Sequence, residues 1–278
     1  MTEPYTLYNG DCFDFLPTIP DGSVDLVLTD PPYGITGCSW DVVPDIPRFW
    51  REAWRVLKPN GAAVIFGTVK SGLDWIMASR EEFRYDLVWE KTKAACFVNV
   101  NRRPLAIHEM IYVFYRSHPT FNPQKYKPEW ASDFEKKVLE PENRVRFFSG
   151  GHVGSYTRIV TNEKFYKSVL KFSNGGRYIS AQIHQTKKPI TLMEHIIKMY
   201  TNPGETVLDP FMGSGSTGVA AMMTGRKFLG SELDPHFFEV SKRRISEAPR
   251  PPEHGEVVLV KPNDAQGYLT FGDAEGEA

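Results

Sequence analysis

The sequence predicts an α/β fold: a mostly parallel sheet with helices on both faces. Three observations predict it. Short apolar runs of strand length, such as Val24–Thr29, Ala62–Phe66 and Thr206–Asp209, alternate with stretches of helical periodicity. Gly, Pro or Asp follows each run. One junction near the C-terminus reads strand, glycine loop, helix.

In order, Tyr5–Tyr8 reads as a strand, Asn9-Gly10-Asp11 as a turn, and Cys12–Leu16 as a short helix before the strand Val24–Thr29. From Ile46 to Leu57 the apolar residues Phe49, Trp50, Ala53, Trp54 and Leu57 recur at helical spacing. Lys58-Pro59-Asn60-Gly61 stops that helix, and Ala62–Phe66 is a strand again. Tyr85–Trp89 and Ile107–Tyr115 read as an antiparallel edge hairpin. From 116 the character changes: prolines, aromatics and basic residues dominate, with one helix expected over Asn162–Phe172 and a turn at Asn174-Gly175-Gly176. The α/β pattern returns with a helix over Ile190–Tyr200, the strand Thr206–Asp209 and a helix over Ser216–Thr224. A strand over Lys227–Ser231 and a helix over Pro235–Glu247 complete it. The expected division is a first α/β part, 1–115, an inserted region, 116–183, a second α/β part, 184–248, and a loose Pro-, Gly- and acid-rich tail, 249–278.

Charge sharpens this division. Residues 91–190 hold 18 Lys+Arg against 7 Asp+Glu, while the rest of the chain holds 15 against 27. A basic middle in a chain of net charge −1 suggests a surface for a polyanion, although long basic side chains also solvate ordinary surfaces. No apolar run is long enough to span a bilayer, and the start lacks a basic segment followed by an apolar core, so neither membrane nor secretion is expected. Cys12, Cys38 and Cys96 have no metal-ligand spacing; they fit free thiols in a reducing cytoplasm, and no metal is expected.

Two motifs carry chemistry. Asp30-Pro31-Pro32-Tyr33 directly follows the strand Val24–Thr29, where ligands of open α/β sheets collect. The prolines stiffen the loop and remove two N–H donors, leaving a carboxylate, a free carbonyl and an aromatic face together. That set suits an exocyclic amino group on a flat ring; alone, an ordinary strand-ending turn explains it equally well. The second motif is Asp209-Pro210-Phe211-Met212-Gly213-Ser214-Gly215, opening a helix. Its glycines permit a tight turn and close approach of backbone to a ligand. Glu232, at the next strand end, is placed to accept from ribose hydroxyls. Gly213-x-Gly215-x-x-Gly218 also matches a dinucleotide fingerprint, so a nicotinamide oxidoreductase remains an alternative. Against it stand the Asp-Pro-Phe before the loop, the short chain after it, and the lack of any role for Asp30–Tyr33.

Together these residues resemble the S-adenosylmethionine-dependent DNA amino-methyltransferases, with catalytic loop first, basic target-recognition region in the middle and cofactor loop last, the order of the beta subclass. The similarity runs from about Tyr5 to Ile245 outside the middle region. It implies a Rossmann-like methyltransferase fold with an inserted target-recognition region, and assigns Asp30, Pro31, Pro32 and Tyr33 to catalysis. It assigns Asp209, Pro210, Phe211, Gly213, Gly215 and Glu232 to the cofactor. Asn9-Gly10-Asp11 resembles the segment whose acidic side chain meets the cofactor adenine, which adds Asp11. Val56-Leu57-Lys58-Pro59-Asn60-Gly61 resembles the family's helix-to-strand turn. His184-Gln185-Thr186-Lys187-Lys188-Pro189 is similar to a His-Pro-Thr-Gln-Lys-Pro segment by the methionine end, which adds Thr186 and Lys188 despite Gln185 and Lys187 departing from the pattern. His108-Glu109-Met110 is similar to a strand start that walls the base pocket. Asp at the head of the catalytic loop implies adenine N6 over cytosine N4, which stays an alternative beside a non-catalytic DNA-binding relative. The implied partner is double-stranded DNA, whose target base must flip out and stack on Tyr33. The resemblance also allows a homodimer and a cognate restriction endonuclease.

Overall fold

The computed structural model describes residues 4–34, 41–95, 100–128, 137–139, 158–160, 163–174 and 188–251, with backbone alone at 95, 137–139 and 158–160. Contacts divide the chain into a main unit, residues 1–122 with 168–278, and a second unit, Pro123–Lys167.

The main unit opens with strand β1 (Tyr5–Asn9), helix α1 (Cys12–Phe15) and strand β2 (Val24–Thr29). Every residue of β2 is buried, so both faces of the sheet are covered at this strand. Asp25 lies within it because its carboxylate accepts from Lys58 Nζ at 2.7 Å and from the Thr206 amide at 2.9 Å. Helix α2 (Ile46–Val56) starts on Asp45, which accepts from the Arg48 amide, and buries Phe49, Trp50 and Ala53. It runs directly into β3 (Leu57–Gly67). The expected stop at Lys58–Gly61 is therefore part of the strand, displaced as an irregularity: pairing with β2 jumps from Val24↔Leu57 to Leu26↔Ala62.

Helix α3 (Val69–Ala78) is an element that the periodicity did not indicate; a reciprocal cap between Thr68 and Ser71 starts it. Strands β4 (Phe83–Ala95) and β5 (Ala106–Phe114) form the expected antiparallel pair. They are not outermost, because β10 (Val169–Phe172) pairs parallel to β4 beyond them. This corrects the helix expected over Asn162–Phe172. Leu170 is buried and its neighbours are exposed, an alternation that serves a strand. Helix α4 (Ile190–Tyr200), β11 (Thr206–Asp209), α5 (Ser216–Met223), β12 (Lys227–Glu232) and α6 (Pro235–Ser246) follow.

The eight-stranded sheet has the order β1-β12-β11-β2-β3-β5-β4-β10, with β5 alone antiparallel. On one face Val27, Ala63, Ile65 and Phe114 form a core with Phe49, Trp50 and Trp75 of α2 and α3. Alternate residues Leu26, Leu28, Val64 and Phe66 are also fully buried, and α4 packs beside β2. The chain moves from β2 to β3 in one direction along the sheet and from β11 to β12 in the other. The boundary between β2 and β11 is thus the switch point, where carboxyl ends of neighbouring strands leave a crevice for a ligand.

In the second unit, β6 (Lys125–Tyr126) pairs antiparallel with β9 (Lys164–Phe165), and β7 (Lys137–Leu139) with β8 (Arg158–Val160). The Tyr126 and Tyr166 rings lie 4.9 Å apart, and Lys125 sits 5.4 Å from the Phe165 ring centre. No helix among the described residues is long and apolar enough to cross a membrane. The stretch 252–278 lies outside the described residues.

Candidate active site

The two motifs meet at the switch point. β11 and β2 pair directly, Val207↔Leu26 and Leu208↔Val27, so Asp30–Tyr33 and Asp209–Gly215 leave adjacent strand ends. One carboxylate fastens them. Asp209 accepts from Thr29 Oγ1 at 2.6 Å, the residue before Asp30, from Thr217 Oγ1 on α5 at 2.6 Å, and from the Phe211 amide at 3.1 Å. It is only 3% exposed, and burial pushes its carboxyl up to about 6 against the pull of these donors. Asp209 thus shapes the loop from within.

Asp30 uses both of its oxygens: one accepts from the Tyr33 hydroxyl, the other from the Lys188 ammonium. Burial, and then the Asp30 charge, pushes the Tyr33 phenol well above its ordinary value, which keeps it a neutral donor. Behind the prolines, the Tyr33 and Gly34 amides both donate to Asp41 Oδ1 at 2.8 Å. No donor among the described residues reaches the Pro31 carbonyl. Lys188 is buried between Asp30 and Glu109, whose Oε2 is 3.2 Å from its ammonium, while Lys91 donates to Glu109 Oε1. Burial alone would lower the Lys188 pKa, but the two carboxylates outweigh it and raise it. Burial likewise would raise Glu109, yet Lys188 and Lys91 hold it below its usual range.

The glycine loop is built by backbone geometry. Gly213 has φ +51° and Gly215, the N-cap of α5, φ +80°, both left-handed. A Cβ on Gly213 would meet nothing within 4 Å; one on Gly215 would lie 2.9 Å from Ser241 Cβ. The Gly213 amide donates to Glu232 Oε2 and the Asp234 amide to Oε1, each at 2.9 Å. Burial raises the Glu232 carboxyl above its usual range despite those amides. Ser231 Oγ donates to the Pro210 carbonyl at 2.7 Å, and Arg244 of α6 grips the Ser214 carbonyl. At the neighbouring strand end, the Gly10 amide donates to the Glu232 carbonyl at 3.0 Å, which brings Asn9–Asp11 alongside.

The structure therefore gathers Asp30, Pro31, Pro32, Tyr33 and Lys188 on one side of the switch point. Asp209, Pro210, Phe211, Gly213, Gly215, Glu232 and Asp11 lie at the strand ends on the other. Phe211 stacks on Phe49, ring centres 6.1 Å apart, and so joins the core to the loop. Asp11 is exposed and caps α1, accepting from the Phe13 amide at 2.8 Å. Thr186 lies outside the described residues, as do Cys38 and Cys96. Within the basic stretch 91–190, the adjacent Arg102 and Arg103 are exposed. Among the described residues no cluster of His, Cys, Asp or Glu could hold a metal ion. Sequence reasoning missed Asp41, Lys91 and Arg244, and gave Glu109 no role of its own. The signal for Asp41 was present, since two prolines before Tyr33 make the Tyr33 and Gly34 amides the loop's first donors.

Known proteins resemble this chain in sequence and fold. The profile of the N6/N4 family described as DNA methylase matches residues 24–243. Type II methyltransferase M2.DpnII of Streptococcus pneumoniae is 29% identical over 276 residues, covering 88% of this chain and 93% of the relative. DNA adenine methyltransferase YhdJ of Escherichia coli K12 is 28% identical over 269 residues, covering 88% and 84%. The crystal structure of the M1.HpyAVI–SAM complex superposes with a TM-score of 0.57 at 25% identity, covering 87% of this chain and 98% of that one. A profile match reaching from β2 into α6 takes in both loops and the paired strands that carry them, and the chain belongs to the N6/N4 family of DNA methylases.

Proposed function

We propose that this chain methylates the N6 amino group of a flipped adenine in double-stranded DNA, with S-adenosylmethionine as donor. The observation that carries the proposal is the fastening of Thr29 to Asp209, which holds an acceptor loop beside a glycine loop at one switch point. Asp at position 30 and the adenine specificity named for the Escherichia coli relative support adenine over cytosine.

The residues fit the cofactor. Space beside Gly213 lets a ligand approach backbone, Glu232 offers a carboxylate to ribose hydroxyls, and Phe211 offers an apolar wall. Asp11 keeps an exposed carboxylate for the adenine end; only the resemblance points to Thr186 and Lys188 for the methionine end, and the Lys188 ammonium is held by Asp30 and Glu109. When bound, the cofactor supplies a methyl group on a positively charged sulfur, a strong electrophile.

The chain's own work is on the amine. The N6 lone pair is drawn into the purine ring, which makes the nitrogen a poor nucleophile. Asp30 accepts one amino hydrogen and the Pro31 carbonyl the other, which favours a more tetrahedral nitrogen with its lone pair exposed. These acceptors gain most as positive charge grows on nitrogen. Tyr33 stacks on the flipped ring, worth about 1–3 kcal/mol. Asp30 need not take a proton first, because the methylated ammonium is acidic and releases it readily.

The basic stretch 91–190 provides phosphate contacts, and the free Cys12 fits a reducing cytoplasm. A homodimer and a cognate endonuclease complete the proposed setting. Tritiated methyl transfer to unmethylated DNA, followed by digestion, tests the reading. N6-methyladenine is expected, with loss in Asp30→Ala; N4-methylcytosine would overturn the choice of base, and no transfer to any DNA the activity.

A further inference from the structure

We propose that Glu109 is a positioning residue that frees Asp30 for the target amine by drawing the Lys188 ammonium to itself; this rests on the methylase reading above. As it stands, the Asp30 carboxylate is fully engaged by the Tyr33 hydroxyl and the Lys188 ammonium. A target amino group is a neutral donor and competes poorly with a charged one. An ammonium tight on Asp30 also cancels the negative charge that the transition state needs, because positive charge grows on the attacking nitrogen. Lys188 must therefore give way.

It cannot give way to water. Its side chain is 6% exposed, and a buried ammonium without a counter-ion is strongly unfavourable. Glu109 supplies the second position. Its Oε2 is buried and makes no regular hydrogen bond in this state, yet it faces the ammonium at 3.2 Å. Its Oε1 is anchored by Lys91, and its backbone is fixed opposite Trp89 in the β4–β5 ladder. The Phe66 and Tyr33 ring centres lie 5.1 and 6.0 Å from the ammonium, and aromatic faces tolerate a cation. Two cations, Lys91 and Lys188, balance two carboxylates, Asp30 and Glu109. A short shift of the ammonium toward Glu109 changes no charge in the cluster, and it leaves Asp30 an oxygen for the amine.

The test measures initial rates of tritiated methyl transfer to unmethylated, polymerase-copied DNA, and cofactor affinity by calorimetry, on the full chain. Glu109→Gln keeps the shape but removes the counter-charge; it lowers kcat/KM for DNA by about 30-fold with cofactor Kd within about twofold. Adding Lys188→Met removes the cation that blocks Asp30 and restores at least about tenfold of that loss, a coupling that independent effects do not produce. Glu109→Asp keeps the charge one methylene further back; it loses less, and Lys188→Met relieves that loss as well, which holds the test open should Glu109→Gln fail to fold. Wild-type rates in Glu109→Gln overturn the proposal, as does a double variant no faster than the single, or a parallel loss of cofactor affinity. A wild-type chain that methylates no DNA refutes the enzymatic reading and this inference with it. An active wild type with unrelieved Glu109 variants refutes the lysine shift alone.

Discussion

The loop after β2 is pinned by charge, whereas the loop after β11 is pinned by shape. Asp30 is held by an ammonium and a phenol, and the prolines leave it few other constraints. The glycine loop is held by two left-handed residues, a serine hydroxyl on a carbonyl and the carboxylates of Asp209 and Glu232 taking hydroxyl and amide donors. On the proposed reading, the first loop exchanges partners during turnover, and its contacts are of a kind that can be traded. The second presents a fixed backbone to the cofactor, and its contacts are of a kind that cannot. Changes on the first side should act on rate, and changes on the second on stability and cofactor affinity.

The largest expected effect is on the charged side. Asp30→Asn keeps an acceptor oxygen but loses the charge, and should lower kcat by about 100- to 1,000-fold. Lys188 retains Glu109 as counter-ion, so thermal unfolding should move little. Rates and melting curves measured together check this; a large drop in Tm with the rate would show that the charge holds the fold.

How much of this was legible in the sequence follows the same line. The fold and both loops could be read because their residue types carry their own local physics. Prolines lack donors, glycines reach positive φ, and apolar runs mark strands. The partners could not be read. Lys188 reaches Asp30 across 158 residues of chain, and nothing local to either indicates the pairing. Asp209 reaches back to Thr29 across 180. Helix α3 was missed because its cap is a Thr68–Ser71 exchange and its Val69, Leu73 and Met77 are exposed, blurring the periodicity. The helix expected over Asn162–Phe172 failed because tertiary pairing with β4 outweighed a helix-compatible pattern.

On the shape side, Asp209 gives a pH test. Burial holds its folded carboxyl at about 6, above the ordinary aspartate value of about 3.9. A carboxyl raised on folding stabilises the fold fully below the lower value and loses that contribution as pH rises through the higher one. Two units correspond to about 3 kcal/mol. In Asp209→Asn the amide oxygen accepts from Thr29 and Phe211, and the Thr217 hydroxyl turns to accept from the amide nitrogen. The variant should therefore gain on the wild type between pH 4 and 7, by up to about 3 kcal/mol in denaturant unfolding. A constant difference across that range would show that Asp209 titrates normally.

The two glycines separate conformation from contact. Gly215→Ala forces a left-handed residue and drives its Cβ to 2.9 Å from Ser241 Cβ and 3.1 Å from Ser241 Cα. About 2–3 kcal/mol of stability should be lost, with cofactor affinity. Gly213→Ala meets no atom and carries only the left-handed penalty, about 1 kcal/mol. Equal losses would mean that α6 moves aside freely.

The smallest effect lies where the two sides blend. Asp41 carries a charge but works as shape, because the Tyr33 and Gly34 amides converge on one of its oxygens. Asparagine keeps that oxygen; alanine leaves the Tyr33 and Gly34 amides without that acceptor. Asp41→Asn should stay within about threefold of wild type in kcat, while Asp41→Ala should fall about tenfold with cofactor affinity unchanged, as misplacement of a positioned ring predicts. If asparagine fails as badly as alanine, the Asp41 charge itself matters. The loop after β2 would then depend on electrostatics along its whole length, and the contrast with the glycine loop would be sharper than the Asp30–Lys188 pair alone makes it.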